Sequence, residues 1–173
     1  MEKNTCLEVL KQGPYVWNAF LLDEGVESAC LSEANLRGAD LRRVNLAQAD
    51  LHLANLNGAD LSLANLRGAD LSLADLRGAN LNGADLSLAN LEGADLRGAK
   101  CTGVRLLGAD LRRVNFHDTD LRRANFANAN LCGADLSGTR LIRANLLGAD
   151  LGGADLTGVE MVECSAAALR TAG

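Results

Sequence analysis

Residues 59–78 read ADLSLANLRGADLSLADLRG, which is one five-residue pattern repeated four times. Each unit has a small residue, then Asp or Asn, then Leu, then two variable positions. From residue 31 to residue 161 the pattern continues without a slip through 27 units, with a hydrophobic residue at every fifth position. That central residue is Leu in 23 units, Ala lies two positions before it in 21, and Asp or Asn precedes it directly in 22. Such a tandem repeat predicts a solenoid of stacked units.

A period of five residues fits neither an α-helix nor a flat strand. On a helix, at about 100° per residue, successive central residues would circle the whole surface. On a strand they would point alternately to opposite faces. The chain must therefore turn once per unit. In an extended tripeptide such as Ala39-Asp40-Leu41, the Ala and Leu side chains lie on one side and the Asp on the other, which predicts an interior of Leu and Ala.

The two variable positions and their neighbours predict a β-turn in every unit. Fourteen of the 18 glycines occupy the second variable position, which is the third position of that turn. A type II turn needs a positive φ angle there, and Gly adopts it without strain. Where Gly is absent, as at Arg43, Leu53 and Arg113, we expect another turn type.

These residues resemble the pentapeptide repeat family, whose motif is Ala-(Asp/Asn)-Leu followed by two variable residues. The resemblance covers residues 26–163, about four-fifths of the chain. It implies an all-β solenoid, a right-handed quadrilateral β-helix with four units in each coil. The units then make about seven coils, in a rod roughly 32 Å long at the usual strand spacing.

One pattern supports a coil of twenty residues independently of the resemblance. Positions twenty apart would then stack on one another. Lys100 would lie between Asn80 and Asp120, and Arg140 would lie between Asp120 and Glu160. We therefore expect these basic residues to be compensated by acids in the same column, Lys100 by Asp120. The alternative is that the irregular run 100–105 is a binding feature.

The chain divides into three segments: residues 1–25 as an N-terminal helical cap, residues 26–163 as the β-helix, and residues 164–173 as a C-terminal cap or tail. Residues 10–13 and 16–18 are also similar to N-terminal segments of cyanobacterial members of the family, which implies a bacterial protein. Residues 166–169 predict a small C-terminal cap.

The N-terminal cap is predicted to contain a helix that begins near Pro14, because Pro is favoured in the first turn. Its apolar residues Val16, Trp17, Phe20 and Leu21 would share a face that covers the first coil. A solenoid without such a cover would expose its core and its strand edge.

The cysteines and histidines give no metal-ligand spacing, so we expect no metal and no cofactor. Cys101 and Cys164 fall at inward positions, whereas Cys30 and Cys132 point outward. Cys6 and Cys30 could be linked, or could stay reduced in a cytoplasmic protein. The chain has no apolar run long enough for a membrane span and no secretory signal at its start, so we expect a cytoplasmic protein without membrane contact.

A rod packed to its axis offers no concave site, so we expect no enzyme activity. His117 lies next to Asp118 and would stack beside Ser137, which are the residue types of a nucleophile, base and acid set. On a convex wall such a set would lack an oxyanion hole and would not exclude water.

The resemblance implies one sharper function, because some family members protect bacterial topoisomerases by presenting the width and charge of DNA. Residues 26–163 hold 18 acidic and 14 basic residues, a net charge of −4. Over roughly 32 Å this is about one charge per 8 Å, against one per about 1.7 Å in duplex DNA. A DNA-mimic modulator of a type II topoisomerase (gyrase) is therefore the alternative hypothesis.

The first hypothesis is a rigid, non-catalytic scaffold for an unknown protein partner, as a monomer or a weak end-to-end homodimer. The net charge of −5 argues against direct nucleic-acid binding. The candidate partner surface is an arginine cluster that could hold a phosphate or an acidic patch: Arg122, Arg123, Arg140 and Arg143.

Two features of this surface have a plain structural alternative. The arginine cluster could instead be a solvated salt-bridge ladder with Asp120, Glu160 and Glu163. Leu53 and Leu73, which are twenty residues apart, could form a small apolar contact surface or could only cover a corner of the coil.

Overall fold

The computed structural model describes residues 3–166. Two helices precede the repeat, α1 over Lys3–Leu10 and α2 over Pro14–Glu24. As predicted, α2 has its proline in the first turn, and it ends at Gly25 in the left-handed conformation, with φ 60°. The predicted C-terminal cap at residues 166–169 falls almost entirely outside the described residues.

The repeat forms a four-walled coil. Every β-bridge is parallel and joins a residue to the one twenty positions later, from Cys30 with Asp50 to Asn145 with Ser165. Because each unit has five residues, this offset means four units per coil, as predicted. We number the walls 1 to 4 by their first bridging residues: Cys30, Asn35, Asp40 and Asn45. Each unit contributes a single bridging residue, so a wall is a ladder of one-residue bridges.

Hydrogen bonds fix the register between coils. The N–H of Leu31 donates to the carbonyl of Asp50 at 2.7 Å, and the N–H of Asp50 donates back to the carbonyl of Ala29 at 2.8 Å. Within the unit, the N–H of Ala34 donates to the carbonyl of Leu31 at 3.0 Å and closes the turn. This pattern recurs along the coil and ties each coil to its two neighbours.

Every one of the 27 corner positions, the last residue of each unit, has a positive φ angle. The glycines there have φ between 63° and 69°, and the other residues between 54° and 61°. The expectation of another turn type without Gly is therefore wrong at Arg43, Leu53 and Arg113, whose φ angles are 57°, 56° and 57°. The backbone register between coils imposes one corner geometry, and it overrides the local preference of the side chain.

The core fills the axis of the coil, with the central residues buried from Leu31 to Leu151. Phe116 and Phe126 belong to opposite walls of one coil, and their rings meet edge to face with centroids 6.1 Å apart. In the last coil the central residues Leu156 and Met161 are exposed by 36% and 41%. Cys101 is buried as predicted, and Cys164 is only partly buried.

The N-terminal helices cover the first coil. Trp17 is fully buried, as are Cys6 and, almost fully, Leu10 of α1. Leu21 packs against the core and is partly buried. Val16 is 38% exposed, so its predicted place on the covering face is wrong. Val16 directly precedes the buried Trp17, and adjacent residues of a helix point about 100° apart. Neither described helix has the length and apolar character needed to cross a bilayer.

Two polar side chains of α2 complete the hydrogen bonds at the edge of the first coil. Trp17 donates its indole N–H to the carbonyl of Asn45 at 2.7 Å. The side-chain oxygen of Asn18 accepts the N–H of Asn45 at 2.8 Å, and its amide nitrogen donates to the carbonyl of Arg43 at 3.1 Å. Asn18 thus takes the place of a preceding coil at this point.

Candidate functional site

The arginine cluster lies on two adjacent coils of wall 3, those with the bridging residues Asp120 and Arg140. Along this wall three columns run side by side: the bridging residues, the residues two positions later, and the corners. The bridging column is Asp40, Asp60, Asn80, Lys100, Asp120, Arg140 and Glu160. The second column is Arg42, Ser62, Asn82, Thr102, Arg122, Ile142 and Val162. The corner column is Arg43, Leu63, Gly83, Gly103, Arg123, Arg143 and Glu163.

Three of the four predicted site residues line one groove of about 420 Å³, which we call the arginine groove: Thr102, Arg122, Arg123, Ile142, Arg143, Val162 and Glu163. Arg140 lines a separate depression of about 270 Å³ beside Asp118 and Asp120. The structure therefore brings Arg122, Arg123 and Arg143 together and places Arg140 apart from them.

Salt bridges hold three of the four arginines. Arg122 binds both carboxylate oxygens of Asp120, at 2.8 and 2.6 Å. Arg143 pairs with Glu163 at 2.6 Å, and Arg140 lies 3.7 Å from the carboxylate of Glu160. These pairs form the salt-bridge ladder that was the alternative interpretation. The hydrogen bond from Arg122 lowers the pKa of Asp120 below its ordinary value, against the effect of partial burial.

Arg123 differs from its neighbours. Within residues 3–166 no acidic oxygen lies within 4 Å of its guanidinium. The side chain is exposed and lines the arginine groove. Arg123 is thus the cation of this groove whose charge stays uncompensated by the described part of the chain.

The groove also has an apolar floor. Ile142 and Val162 are the two apolar residues of the second column of wall 3. Ile142 is partly buried, and Val162 is 52% exposed. The groove therefore combines guanidinium groups with accessible aliphatic surface, which a simple salt-bridge ladder does not require.

Lys100 is bridged to Asn80 and to Asp120, so its predicted place in the column is confirmed, but the expected compensation of its charge by Asp120 is wrong. Asp120 is occupied by Arg122, and no acidic group of the described chain lies within 4 Å of the exposed Lys100. The hydrogen-bond acceptor that is missing at Lys100 is supplied by a side chain of the preceding coil. In most units the bridging Asp or Asn accepts the N–H two residues later, and where Lys100 replaces it, Asn82 accepts the N–H of Thr102 at 2.9 Å.

Sequence reasoning missed the most frequent ion pair of the molecule. In five units the bridging Asp accepts hydrogen bonds from an Arg two residues later: Asp40 with Arg42, Asp75 with Arg77, Asp95 with Arg97, Asp110 with Arg112, and Asp120 with Arg122. The signal in the sequence is the tripeptide Asp-Leu-Arg. These pairs neutralise the carboxylate columns locally, within a single unit.

The histidines form two matching relays. His52 Nδ1 lies 2.8 Å from the hydroxyl of Ser72, which donates to Asp70 at 2.6 Å. His117 makes the same 2.8 Å contact with Ser137, which donates to Asp135. Because each serine gives its proton to aspartate, it accepts from the histidine, and this direction is opposite to that of serine activation in a catalytic triad.

A second groove of about 570 Å³ lies beside the first relay, on wall 1. Its lining includes His52, Leu73 and Gly93. Leu73 leans over Gly93, where an added Cβ would lie 2.8 Å from its Cδ2. Leu53 and Leu73 are 47% and 54% exposed, so Leu73 covers a corner and still presents apolar surface.

Residues 3–166 offer few other groups for metal binding or thiol chemistry. No group of three or more His, Cys, Asp and Glu side chains is placed to hold a metal ion. All five cysteines are free thiols, including Cys6 and Cys30. Burial raises the pKa of the Cys101 thiol well above its ordinary value, which keeps it protonated.

Comparison with known proteins identifies the repeat. The profile of the family described as pentapeptide repeats matches residues 29–68, 54–93, 89–126 and 119–158. The chain is 35% identical to HetL, a pentapeptide repeat protein involved in heterocyst differentiation regulation from Nostoc sp. PCC 7120, over 82% of this chain and 73% of HetL, with a TM-score of 0.46.

It is also 35% identical to a thylakoid-lumen pentapeptide repeat protein of Arabidopsis thaliana, over 54% of this chain and 61% of that one, with a TM-score of 0.37. A trypsin-treated variant of QnrB1, a plasmid-mediated fluoroquinolone resistance protein, is 23% identical over 76% of each chain, with a TM-score of 0.49. No curated protein matches the chain. Because the family profile matches the repeat from residue 29 to residue 158, the chain belongs to the pentapeptide repeat family and has its right-handed β-helical fold.

Proposed function

We propose that this protein is a non-catalytic scaffold that binds a protein partner through the arginine groove. The observation that carries the proposal is the guanidinium of Arg123, which no acidic group of the described chain compensates, in the same groove as the exposed aliphatic surface of Val162. Charged and apolar groups side by side, on a surface open to a large molecule, are typical of protein interfaces, where Arg is enriched.

The rigidity of the coil favours binding. The groove residues lie on four successive coils whose backbones are joined by hydrogen bonds, such as Gly103 N to Arg122 O at 2.8 Å and Arg123 N to Ile142 O at 2.9 Å. Their spacing is therefore set before any partner arrives. A surface that is already ordered loses little conformational entropy on binding.

The outer walls are the surfaces on which this fold can act, because its axis is filled by buried side chains. The two His–Ser–Asp relays lie on such walls, and their serines donate to aspartate. They have neither the proton direction nor the excluded water that nucleophilic catalysis needs. Both features support a binding role over an enzymatic one.

The Asp-Leu-Arg pairs weigh against the alternative of a DNA mimic. A protein that imitates the phosphate backbone needs columns of uncompensated negative charge. Here five bridging aspartates are bound by an arginine of their own unit, at 2.6 to 2.7 Å in the shortest contact of each pair. The field of the carboxylate columns is correspondingly reduced.

A capture experiment tests the proposal. Affinity-tagged protein is incubated with a lysate of the organism that produces it, and bound proteins are identified by mass spectrometry. We expect a specific partner that is lost with the double variant Arg123→Glu and Arg143→Glu. The control is Arg37→Glu with Arg67→Glu, which makes the same charge change at two exposed arginines of other walls. Equal capture by both double variants would show that the arginine groove is not the binding surface.

A further inference from the structure

We infer that the arginine groove takes an extended acidic segment of a partner protein, one that carries an aliphatic side chain next to its carboxylates. This inference rests on the proposed function and names the chemistry of the partner. It follows from three properties of the groove: the sign of the local charge, the guanidinium of Arg123 without an acidic partner in residues 3–166, and the apolar floor.

The charge of this part of wall 3 is opposite to that of the chain as a whole. The three columns hold five basic and three acidic residues over the last four coils: Lys100, Arg122, Arg123, Arg140 and Arg143 against Asp120, Glu160 and Glu163. The chain carries a net charge of −5. An acidic segment would therefore be attracted to this part of wall 3 although the chain as a whole is negative, which favours binding at this place.

Within the groove the cations are not equivalent. The charge of Arg122 is paired with Asp120 through its Nε and Nη2 atoms, and Arg143 is paired with Glu163. Arg123 lies between them in the wall and has no such partner in the described chain. A carboxylate placed on Arg123 would gain charge-assisted, two-point hydrogen bonds without breaking an existing pair.

The apolar floor distinguishes a peptide from a small anion. Ile142 and Val162 stack one above the other at positions twenty apart, in the column next to Arg123 and Arg143. A phosphate ion would leave this surface in water. An aliphatic side chain lying between two carboxylates of an extended segment would cover it, and burial of apolar surface favours the complex.

The experiment uses fluorescein-labelled peptides and measures their binding to the full chain by fluorescence anisotropy at low salt. The first probe is a seven-residue peptide of alternating Asp and Glu with one central Leu. The second replaces that Leu by Ser, and the third replaces the acids by Lys. We expect the first to bind, the second to bind at least fivefold more weakly, and the third not to bind.

Matched variants locate the binding site. Arg123→Glu should weaken the first peptide at least tenfold, and Ile142→Ser should remove the difference between the Leu and Ser peptides. The control is Arg43→Glu, since Arg43 is a corner of the same wall with nearly the same φ angle, 57° against 59°, four coils away. It should leave binding unchanged.

Five outcomes would overturn the inference. Equal losses with Arg123→Glu and Arg43→Glu would mean non-specific charge attraction. Equal affinity for the Leu and Ser peptides, or displacement by inorganic phosphate at the same concentration, would mean an anion site without apolar recognition. Binding to phosphatidylserine vesicles in place of the peptide would mean a membrane surface. No peptide binding, together with protein capture that still depends on Arg123 and Arg143, would reject the inference and leave the proposed scaffold function standing.

Discussion

The bridging Asp or Asn of each unit performs two tasks that its outward position alone does not reveal. Its backbone joins the coils, and its side-chain oxygen accepts the N–H two residues later, as when Asp60 accepts from Ser62 at 3.0 Å. Both residue types can form this local bond, which explains why Asp and Asn alternate freely in the repeat. Where an Arg follows, the Asp gains an ion pair as well.

Acid should weaken the Asp–Arg pairs in a defined pH range. The hydrogen bond from Arg77 holds the pKa of Asp75 below its ordinary value, and the bond from Arg42 lowers the pKa of Asp40 to about 2. A lowered pKa in the folded state stabilises the protein above the ordinary aspartate value of about 3.9, and this contribution is lost as pH falls through the folded value. We expect the urea concentration at the unfolding midpoint to stay constant from pH 7 to about pH 5 and to decrease at pH values below about 4.

The variant Arg77→Gln checks this sign. At pH 7 it should be less stable than the wild type, by about 0.2–1 kcal/mol for so exposed a pair. That difference should shrink as pH falls through the lowered pKa of Asp75, because protonation of this carboxylate removes the ion pair in the wild type. A difference in the free energy of unfolding that stays constant down to pH 2 would contradict the role of the ion pair.

Two adjacent glycines test the corner geometry. Gly153 is a corner with φ 68° and no atom within 4 Å of an added Cβ, so Gly153→Ala should destabilise by about 1 kcal/mol through backbone strain alone. Gly152 lacks a positive φ and holds a position where every other unit has a side chain. Gly152→Ala should stabilise by about 0.4–1 kcal/mol, because it restricts the unfolded chain. Urea unfolding of both variants measures the contrast, and equal shifts would refute it.

Helix α2 acts on the coil through single hydrogen bonds as well as through burial. Replacing Asn18 by Ala removes the acceptor of the Asn45 N–H and the donor to the Arg43 carbonyl. Both hydrogen bonds are exposed to solvent, and such a bond contributes about 0.5–1.5 kcal/mol to stability. We expect Asn18→Ala to lower the denaturation midpoint and to speed hydrogen exchange at the Asn45 amide, measured by NMR.

The variant Asn18→Asp provides the matched control. Its side chain keeps an oxygen for the Asn45 N–H and loses only the donor to Arg43. The Asn45 amide should therefore stay protected from exchange in this variant. If both variants exchange equally fast, the protection comes from burial by Trp17 and not from the Asn18 bond.

At the scale of the whole molecule, its charge decides between the two functions first considered. The net charge of the chain is only −5, and five of the bridging aspartates are paired with an arginine of their own unit. We therefore expect no change in DNA supercoiling by purified gyrase when the protein is added at low salt, where electrostatic effects are largest. Inhibition or protection of gyrase at low micromolar concentration would contradict the scaffold proposal. In that case the variant Arg77→Gln, which leaves the negative charge of Asp75 unpaired, should affect gyrase more strongly than the wild type.

The fold could be read from the repeat because its period excludes the standard elements and its inward residues are nearly constant. The four walls came from the resemblance, supported by the column of Lys100. Local chemistry was harder to predict. Arg43 and Leu53 gave no sign of a left-handed corner, since their φ angle is imposed by bonds to the next coil. Lys100 and Arg122 both face Asp120, and only the geometry shows that the arginine two residues away takes both of its oxygens.

The constant offset of twenty residues between bridged positions also limits how such a chain can change in length. Deleting a block of twenty residues removes one coil and leaves every later side chain facing the same direction. Deleting five rotates everything beyond the cut by a quarter turn and would carry Arg123 away from the side occupied by Arg43. Shortening the chain by whole coils should therefore preserve both the fold and the arrangement of side chains on the surface. A loss of one or two residues should disrupt both.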